Sequence, residues 1–300
     1  MGVYRVTEKL QLFSAFFFII LFHLFAILGI VLYHPNPTLI VLCFTMYWVQ
    51  ISGILITYHR CLTHRAFDFK FKWLERIFAT FGAIALQRGP IFWSGVHRIH
   101  HQRADHDGDP HNRQESFWQA HMLWLGRVDP HFKWGYRLNE YQNSAPDVSS
   151  DPYYRWLDRF YYVPAFTLWL LFYLIGGWSW VFWGGPISTV IHWHVIWSTN
   201  SLTHGAGYKT FKTADGSSNN WFVTLISSGE GWHNNHHAFP NSANQGFAHW
   251  WELDFLYLII LVFEKLGLVS NVRRIAPGVI QSKRIIRSKE MGFNPSPNES

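Results

Sequence analysis

Two long stretches of this chain, residues 10–58 and 160–208, contain no Asp, Glu, Lys or Arg. At about 1.5 Å of rise per residue and about 20 residues per crossing, each stretch is long enough for two membrane helices joined by a short turn. The whole chain is only 15% charged and 49% hydrophobic, whereas an ordinary soluble domain is about 25% charged. We therefore predict an integral membrane protein.

Helix-breaking residues indicate where each charge-free stretch turns. Residues 34–37 (His-Pro-Asn-Pro) interrupt the first stretch, and residues 184–186 (Gly-Gly-Pro) are the predicted turn in the second. A cleaved signal peptide is not favoured at the first apolar run, because the run is too long and no small-residue cleavage site follows it. The sequence thus predicts four spans, at about residues 10–33, 38–58, 160–183 and 187–204.

The distribution of Lys and Arg predicts the orientation of these spans. Every Lys and Arg lies in residues 1–9, 59–159 or 209–300, and neither predicted hairpin turn carries one. By the positive-inside rule, both termini and the large polar segments are expected on the cytoplasmic side. The predicted fold is a single all-α membrane domain of four transmembrane helices over residues 1–300. A cytoplasmic helical cap is assigned to residues 59–159 and 205–280, and a tail to residues 281–300.

Eight of the 18 histidines of the chain lie in three short clusters. In two of these clusters the spacing is i, i+3, i+4, which places three imidazoles within one face of a helix. In another, two histidines are five residues apart and do not share a face of a straight α-helix, so a distorted or ending helix is expected there. The clusters are His59 and His64; His97, His100 and His101; and His233, His236 and His237.

The predicted topology can bring all of these histidines to one place. The second and fourth spans both run toward the cytoplasm, so they deliver their ends to the layer where the cap lies. The fourth span adds Asn200 and His204, an i, i+4 pair on one helix face. Nine histidines and one asparagine can therefore meet just inside the membrane.

A set of neutral imidazoles suits iron, zinc, copper or nickel. Nine are too many for one ion that takes four to six ligands, so two metal ions are predicted. Zinc is less favoured, because a catalytic zinc site uses three protein ligands and would leave most of the set unused. Two redox-active irons would use all of it.

Carboxylates near the clusters are candidates to orient the imidazoles, since a ligating histidine usually donates its other ring N–H to such a group. Asp105, Asp107, Asp109 and Glu230 have suitable positions in the sequence. An ordinary polar loop remains an equal alternative for each of them.

The three histidine clusters, with Asp109-Pro110-His111 and the Asn200/His204 pair, resemble the membrane-bound fatty acyl desaturases. The likeness is strongest to the Δ9 (stearoyl-type) branch and, within it, to bacterial and plastid-lineage members, and it covers roughly residues 54–240. It implies two iron ions (Fe²⁺/Fe³⁺), with Asn200 holding a metal-bound water. The implied histidine ligands are His59, His64, His97, His100, His101, His204, His233, His236 and His237.

The same resemblance implies an activity and a set of partners. The expected activity is the oxygen-dependent insertion of a cis double bond at Δ9 of a saturated fatty acyl chain, with reduction of O₂ to water. The acyl chain would be linked to lipid, coenzyme A or a carrier protein. Electrons would come from a separate protein such as a ferredoxin or cytochrome b5, and the net charge of +6 would attract an acidic donor and anionic membrane lipid. No catalytic residue beyond the ligands, no organic cofactor and no nucleic acid is expected.

Two other functions remain open from the sequence. A hydroxylase or related oxygenase of the same histidine-box superfamily would return oxygen to the carbon instead of removing a second hydrogen. A membrane protein that transports or stores metal would need ligands along a path through the spans, whereas these ligands lie at one end of them. It would also bind metal without consuming O₂.

Overall fold

The computed structural model describes residues 2–126 and 143–285, with residues 2–15 described by their backbone alone. The described chain is mostly helical, which confirms the predicted all-α class. Helix α1 (Gly2–Leu32) is separated from α2 (Pro37–Ile51) by the predicted break. Asn36 caps α2 by accepting the N–H of Leu39 at 3.0 Å, and Pro37 occupies the first turn, where no N–H is needed.

Helix α2 continues directly into a π-helix, Ser52–Thr63. In a π-helix each N–H reaches the carbonyl five residues back, so residues five apart come to lie on the same side. The N–H of His64 donates to the carbonyl of His59 at 3.1 Å. The distorted helix expected from the His59/His64 spacing is therefore confirmed, and the distortion is what brings these two side chains together.

Short helices follow the π-helix and form the first part of the polar segment. Two of them, α3 and α4, are connected by residues 85–89, and this connection contacts the fourth predicted span: Trp193 Nε1 donates to the carbonyl of Ala85 at 2.8 Å. The elements are α3 (Lys72–Ile84), α4 (Pro90–Arg103), α5 (Phe117–His121), a 3₁₀ turn (Leu123–Gly126), α6 (Pro146–Ser149) and α7 (Pro152–Arg159).

The second apolar hairpin does not turn where the sequence predicted. Helix α8 (Val163–Phe182), a π-helical segment (Trp183–Ile187) and α9 (Ser188–Ser201) follow one another without a loop. The break in this helical run is at Gly177, with φ 67° and ψ −160°. The turn predicted at residues 184–186 is wrong, because a glycine adopts the left-handed conformation without a steric penalty, whereas Pro186 is accommodated within the wider π turn.

The remaining helices complete the polar part of the fold. They are α10 (Trp221–Ser227), α11 (His233–Ala238), α12 (Phe255–Lys265) and α13 (Pro277–Lys283). Strands β1 (Asp68–Phe69) and β2 (Val269–Ser270) pair antiparallel and join the start of this part to its end. The largest apolar core lies where the π-helix after α2 meets α3, α4 and α12.

Two helical runs in the described part of the chain are long and apolar enough to cross a membrane, Pro37–Thr63 and Val163–Ser201. A shorter apolar stretch covers Phe16–Leu32 of α1. The break at Gly177 divides the longer run into two arms. Four spans with a cytoplasmic cap remain a prediction.

Candidate metal centre

Helix α4 carries His97, His100 and His101, and its first turn is fixed by a neighbouring carboxylate. Pro90 begins the helix, and Asp158 Oδ1 accepts the N–H groups of Ile91 and Phe92, each at 3.0 Å. A carboxylate at this position satisfies free N–H groups and interacts favourably with the helix dipole. The direction of α4, and with it the position of its histidines, is thereby set from α7.

Helix α11 carries His233, His236 and His237, and it is anchored by the two asparagines between these histidines. Asn234 Oδ1 accepts the N–H groups of Thr210 and Phe211, both at 2.8 Å, and Asn235 Nδ2 donates to Glu252 at 2.8 Å. Both asparagines are fully buried. Sequence reasoning gave them no role, although two amides between ligand-type histidines are the signal that could have found it.

The structure brings together all nine histidines that the sequence predicted, in two groups. Within each group, one ring nitrogen of every member lies within 4.8 Å of those of the others. The first group, called the first cluster below, is His59, His64, His97, His101 and His236. The second cluster is His100, His204, His233 and His237.

The histidines of α4 and α11 are divided between the two clusters by a simple helical rule. At about 100° per residue, positions i and i+4 are about 40° apart, whereas i+3 lies about 60° to the other side of i. In α4, His97 and His101 accordingly belong to the first cluster and His100 to the second. In α11 the assignment is reversed: His233 and His237, the i and i+4 pair, belong to the second cluster, and His236 belongs to the first.

Buried carboxylates hold the outward ring nitrogen of several of these histidines. Glu230 Oε2 lies 2.7 Å from His59 Nδ1 and Asp105 Oδ2 lies 2.7 Å from His204 Nδ1. Asp109 Oδ1 lies 2.9 Å from His100 Nδ1. Three of the four predicted carboxylates therefore make this contact, and the fourth, Asp107, is exposed instead.

Sequence reasoning missed a fourth carboxylate of the same kind. Asp215 Oδ2 lies 2.8 Å from His237 Nδ1. It lies in the loop between α9 and α10, far from any histidine cluster in the sequence, so no local spacing indicates it.

The hydrogen positions implied by these contacts make the second cluster suitable for a cation. An ionised carboxylate only accepts, so Nδ1 of His204 and of His237 carries a proton, and in the neutral form of each ring Nε2 presents a bare lone pair. His233 Nε2 lies 3.0 Å from one and 3.1 Å from the other, and its single proton can satisfy only one of them. His100 Nε2 is buried and has no hydrogen-bond partner among the described residues. These converging nitrogens fit a transition metal ion.

The first cluster shows the same convergence. His236 Nε2 lies 3.1 Å from His59 Nε2 and 2.9 Å from His101 Nε2. His97 Nε2 is 3.1 Å from the same atom of His101. Burial, and then the neighbouring histidines, lower the pKa of His97, His101 and His236 well below the usual value. These three imidazoles are thus neutral, which is the form that binds a metal.

A cavity of about 50 Å³ lies against both clusters. Its walls include Asn200 and His233, together with the aromatic side chains Trp93 and Trp197. Trp193, one turn before Trp197 in α9, packs against Phe22, with ring centroids 5.1 Å apart. His111 also lines the cavity, beside His100, with ring centroids 4.2 Å apart.

Comparison with known proteins agrees with this arrangement. The family described as fatty acid desaturase matches residues 35–267 of the chain. The chain belongs to the fatty acid desaturase family. All nine clustered histidines lie within the matched residues.

Individual desaturases align over most of the chain. The sn-2 palmitoyl-lipid 9-desaturase of Nostoc sp. (strain 36) is 43% identical over 229 residues, which cover 76% of this chain and 79% of the relative. The sn-1 stearoyl-lipid 9-desaturase of Anabaena variabilis is 40% identical, over 76% of this chain and 81% of the relative. The acyl-CoA C20 Delta5-desaturase of the plant Anemone leveillei is 38% identical, over 81% and 76%.

These similarities confirm the resemblance drawn from the histidine boxes. The protein is a fatty acyl desaturase, an oxidoreductase of lipid metabolism, and its similarity to bacterial and plant enzymes agrees with the predicted Δ9 branch. The two histidine clusters of this desaturase are able to bind metal.

Proposed function

We propose that this desaturase introduces a cis double bond at Δ9 of a lipid-linked saturated acyl chain, using two iron ions. The observation that carries the proposal is the convergence of nine imidazoles into one group of five and one group of four beside a single cavity. The names of the Nostoc and Anabaena relatives support both the position of the double bond and the lipid carrier. The Anemone relative, named for an acyl-CoA substrate, makes coenzyme A the alternative carrier to test.

The ligands proposed for the irons are the nine histidines of the two clusters. Bound there, the irons would supply the activation of O₂ and the removal of two neighbouring hydrogens. The overall reaction consumes the saturated chain, O₂, two electrons and two protons, and yields the cis alkene and two waters. Asn200 is proposed to hold a water at the second cluster, because its side chain lines the cavity beside His233.

The protein contributes by positioning the imidazoles and the acyl chain and by excluding water from the site. Glu230, Asp105, Asp109 and Asp215 keep the Nδ1 protons on the outer side of the rings, so that the Nε2 atoms face inward. Leu55 and Ile196 belong to the cavity wall. An acyl chain placed between the π-helix and α9 would present a fixed pair of carbons to both clusters. A bend in this acyl chain at those carbons would favour the cis product.

We further propose the predicted membrane topology, with four spans and with both termini and the metal centre on the cytoplasmic side. The two long apolar runs, the break at Gly177 and the apolar part of α1 support it. Under this proposal the third span ends at Gly177 rather than at residue 183. The basic charge of the polar segments supports an acidic electron donor, such as a ferredoxin or cytochrome b5.

Expression in a host that lacks this activity, together with a matching electron donor, tests the proposal. Mass spectrometry of derivatised fatty acids is expected to locate a new double bond at Δ9, and the purified protein is expected to contain two irons per chain. Separate assays with glycerolipid and acyl-CoA substrates identify the carrier. A His100→Ala variant is expected to lose activity, whereas His34→Ala, at an exposed position, is expected to retain it.

Other products would support other functions. A hydroxylated fatty acid would identify an oxygenase. Unchanged lipids despite a full complement of iron and a working donor would support a metal-binding membrane protein without this activity.

A further inference from the structure

Helix α10 directs its largest apolar side chains outward, the reverse of a helix on the surface of a soluble protein. Its outward side chains Trp221, Phe222 and Leu225 are 69%, 49% and 65% exposed. Its buried residues are smaller and mostly polar: Val223, Thr224 and Ser227. Exposing the outward apolar side chains to water would be energetically unfavourable.

Helix α12 has an apolar outer stripe of the same kind. Phe255, Leu258 and Val262 are 43%, 47% and 53% exposed and recur at the spacing of one helix face. The opposite face, with Leu256 and Ile260, is fully buried. We call the six exposed side chains of α10 and α12 the cap face: Trp221, Phe222, Leu225, Phe255, Leu258 and Val262.

The two helices of the cap face are joined to each other and to an apolar run that can span a membrane. The N–H of Leu256, in the first turn of α12, donates to the carbonyl of Ser228, just after α10, at 3.2 Å. The hydroxyl of Tyr47 donates to the carbonyl of Ile226 in α10. Because Tyr47 lies near the middle of the apolar run Pro37–Thr63, α10 sits beside this run and not beyond its cytoplasmic end.

The outer surface of that run is itself apolar where α10 meets it. Phe44 is 61% exposed, and its ring stacks on that of Tyr47 with centroids 6.4 Å apart. Another segment of the cap contacts this run at the same level as Phe44 and Tyr47, since Ile84 at the end of α3 packs with Met46 and Phe172. The cap face is therefore continuous with the surface that a span presents to lipid.

Within α12 itself the charged side chains, Glu264 and Lys265, are both at the C-terminal end, whereas Asp254, which caps the N-terminus, is buried and pairs with Arg60. Lys265 is exposed there, and Arg274 pairs with Glu264. An apolar stripe that ends in basic side chains is the arrangement of a helix lying in a membrane interface, with long cationic side chains reaching the headgroups.

We propose that α10 and α12 are immersed in the cytoplasmic leaflet, so that the cap face contacts lipid acyl chains. The proposal rests on the four-span topology of the proposed function. It revises the assignment of residues 205–280 to the cytoplasmic cap, because part of that segment then lies within the membrane. The alternative occupant of the cap face is a second copy of the chain.

Spin labels on the full-length protein in phosphatidylcholine and phosphatidylglycerol vesicles test this placement. Labels at Leu225→Cys and Leu258→Cys are compared with a lipid control, Val41→Cys on the span, and a water control, Lys212→Cys on an exposed loop. Cys43 and Cys61 are buried and are replaced by Ala in every variant. Each labelled protein must retain desaturation, which shows that it is folded.

Collision rates with O₂, which concentrates in lipid, and with a water-soluble nickel chelate provide the readout. The ratio of the two rates at positions 225 and 258 is expected to match that at 41 and to exceed that at 212 several-fold. Ratios like that at 212, with 41 still in lipid, would overturn the proposal and leave the spans intact.

Two further outcomes separate the remaining possibilities. If position 41 also behaves like 212, the four-span topology itself fails, and this inference fails with it. If positions 225 and 258 are shielded from both reagents and their spectra broaden through coupling between labels, a second copy covers the cap face and the lipid placement is wrong.

Discussion

Glu230 Oε2 lies 2.7 Å from Nδ1 of His59, and both side chains are almost completely buried. The other carboxylate oxygen accepts from Arg60 at 2.8 Å. Burial alone would raise the pKa of Glu230, but His59 and Arg60 lower it to about 2. Glu230 is therefore ionised at neutral pH and fixes a ring of the first cluster from behind.

Replacing Glu230 with Gln is expected to weaken the first cluster. The substitution keeps the shape but removes the charge that holds His59 and balances Arg60, and loss of such a group typically reduces metal affinity or activity about 10- to 100-fold. Iron content and desaturation rate are the measurements. Glu264→Gln, which breaks only an exposed pair with Arg274, is the control and is expected to leave both unchanged.

Asp105 and Asp107 offer a matched pair for the second cluster. Asp105 contacts His204 and also accepts the N–H of Gly216 at 2.7 Å, whereas Asp107 is exposed. We expect Asp105→Asn to lower iron occupancy and activity about 10- to 100-fold, and Asp107→Asn to behave like the wild type. Equal effects of the two substitutions in metal analysis and assay would argue against an orienting role for Asp105.

Much of the candidate site could be predicted from the sequence, because its ligand-type residues come at helical spacings. Which histidine joins which cluster could not be predicted, since that depends on how α4 and α11 are rotated relative to each other. Asp215 could not be identified either, because its contact with His237 exists only once the loop before α10 folds back. The turn assigned to residues 184–186 was wrong for a related reason: glycine and proline indicate a break, but the structure uses Gly177 for it and builds Pro186 into a π turn.

Close packing of the π-helix predicts a severe effect at Gly53. A Cβ there would lie 2.0 Å from the backbone nitrogen of Gly82, so α3 would have to move away from the π-helix that positions His59. Gly53→Ala is expected to destabilise the protein by at least about 1–3 kcal/mol and to reduce the yield of folded protein. Gly278→Ala, where a Cβ meets nothing within 4 Å, is the control and is expected to be neutral or slightly stabilising. Thermal unfolding in detergent compares them.

The ion pair between Arg98 and Asp147 predicts a pH dependence of stability. Burial alone would raise the pKa of Asp147, but Arg98 and Arg65 lower it well below its usual range. A carboxyl whose pKa is lowered by folding stabilises the native state above its unfolded pKa, about 3.9, and loses that contribution as the pH falls toward the folded value. The difference in melting temperature between wild type and Asp147→Asn should stay constant from pH 8 to about pH 5 and shrink below about pH 4. A difference that does not change with pH would contradict this account.

The division of the histidines sets the order in which the enzyme can mature. Each cluster takes members from α11 as well as from segments more than a hundred residues earlier. During synthesis, neither centre can assemble before His236 and His237 have left the ribosome, when all four proposed spans have already been made. Under the proposed function, metal loading would therefore be a late event in biogenesis, and a chain truncated before α11 would contain the proposed spans without either centre.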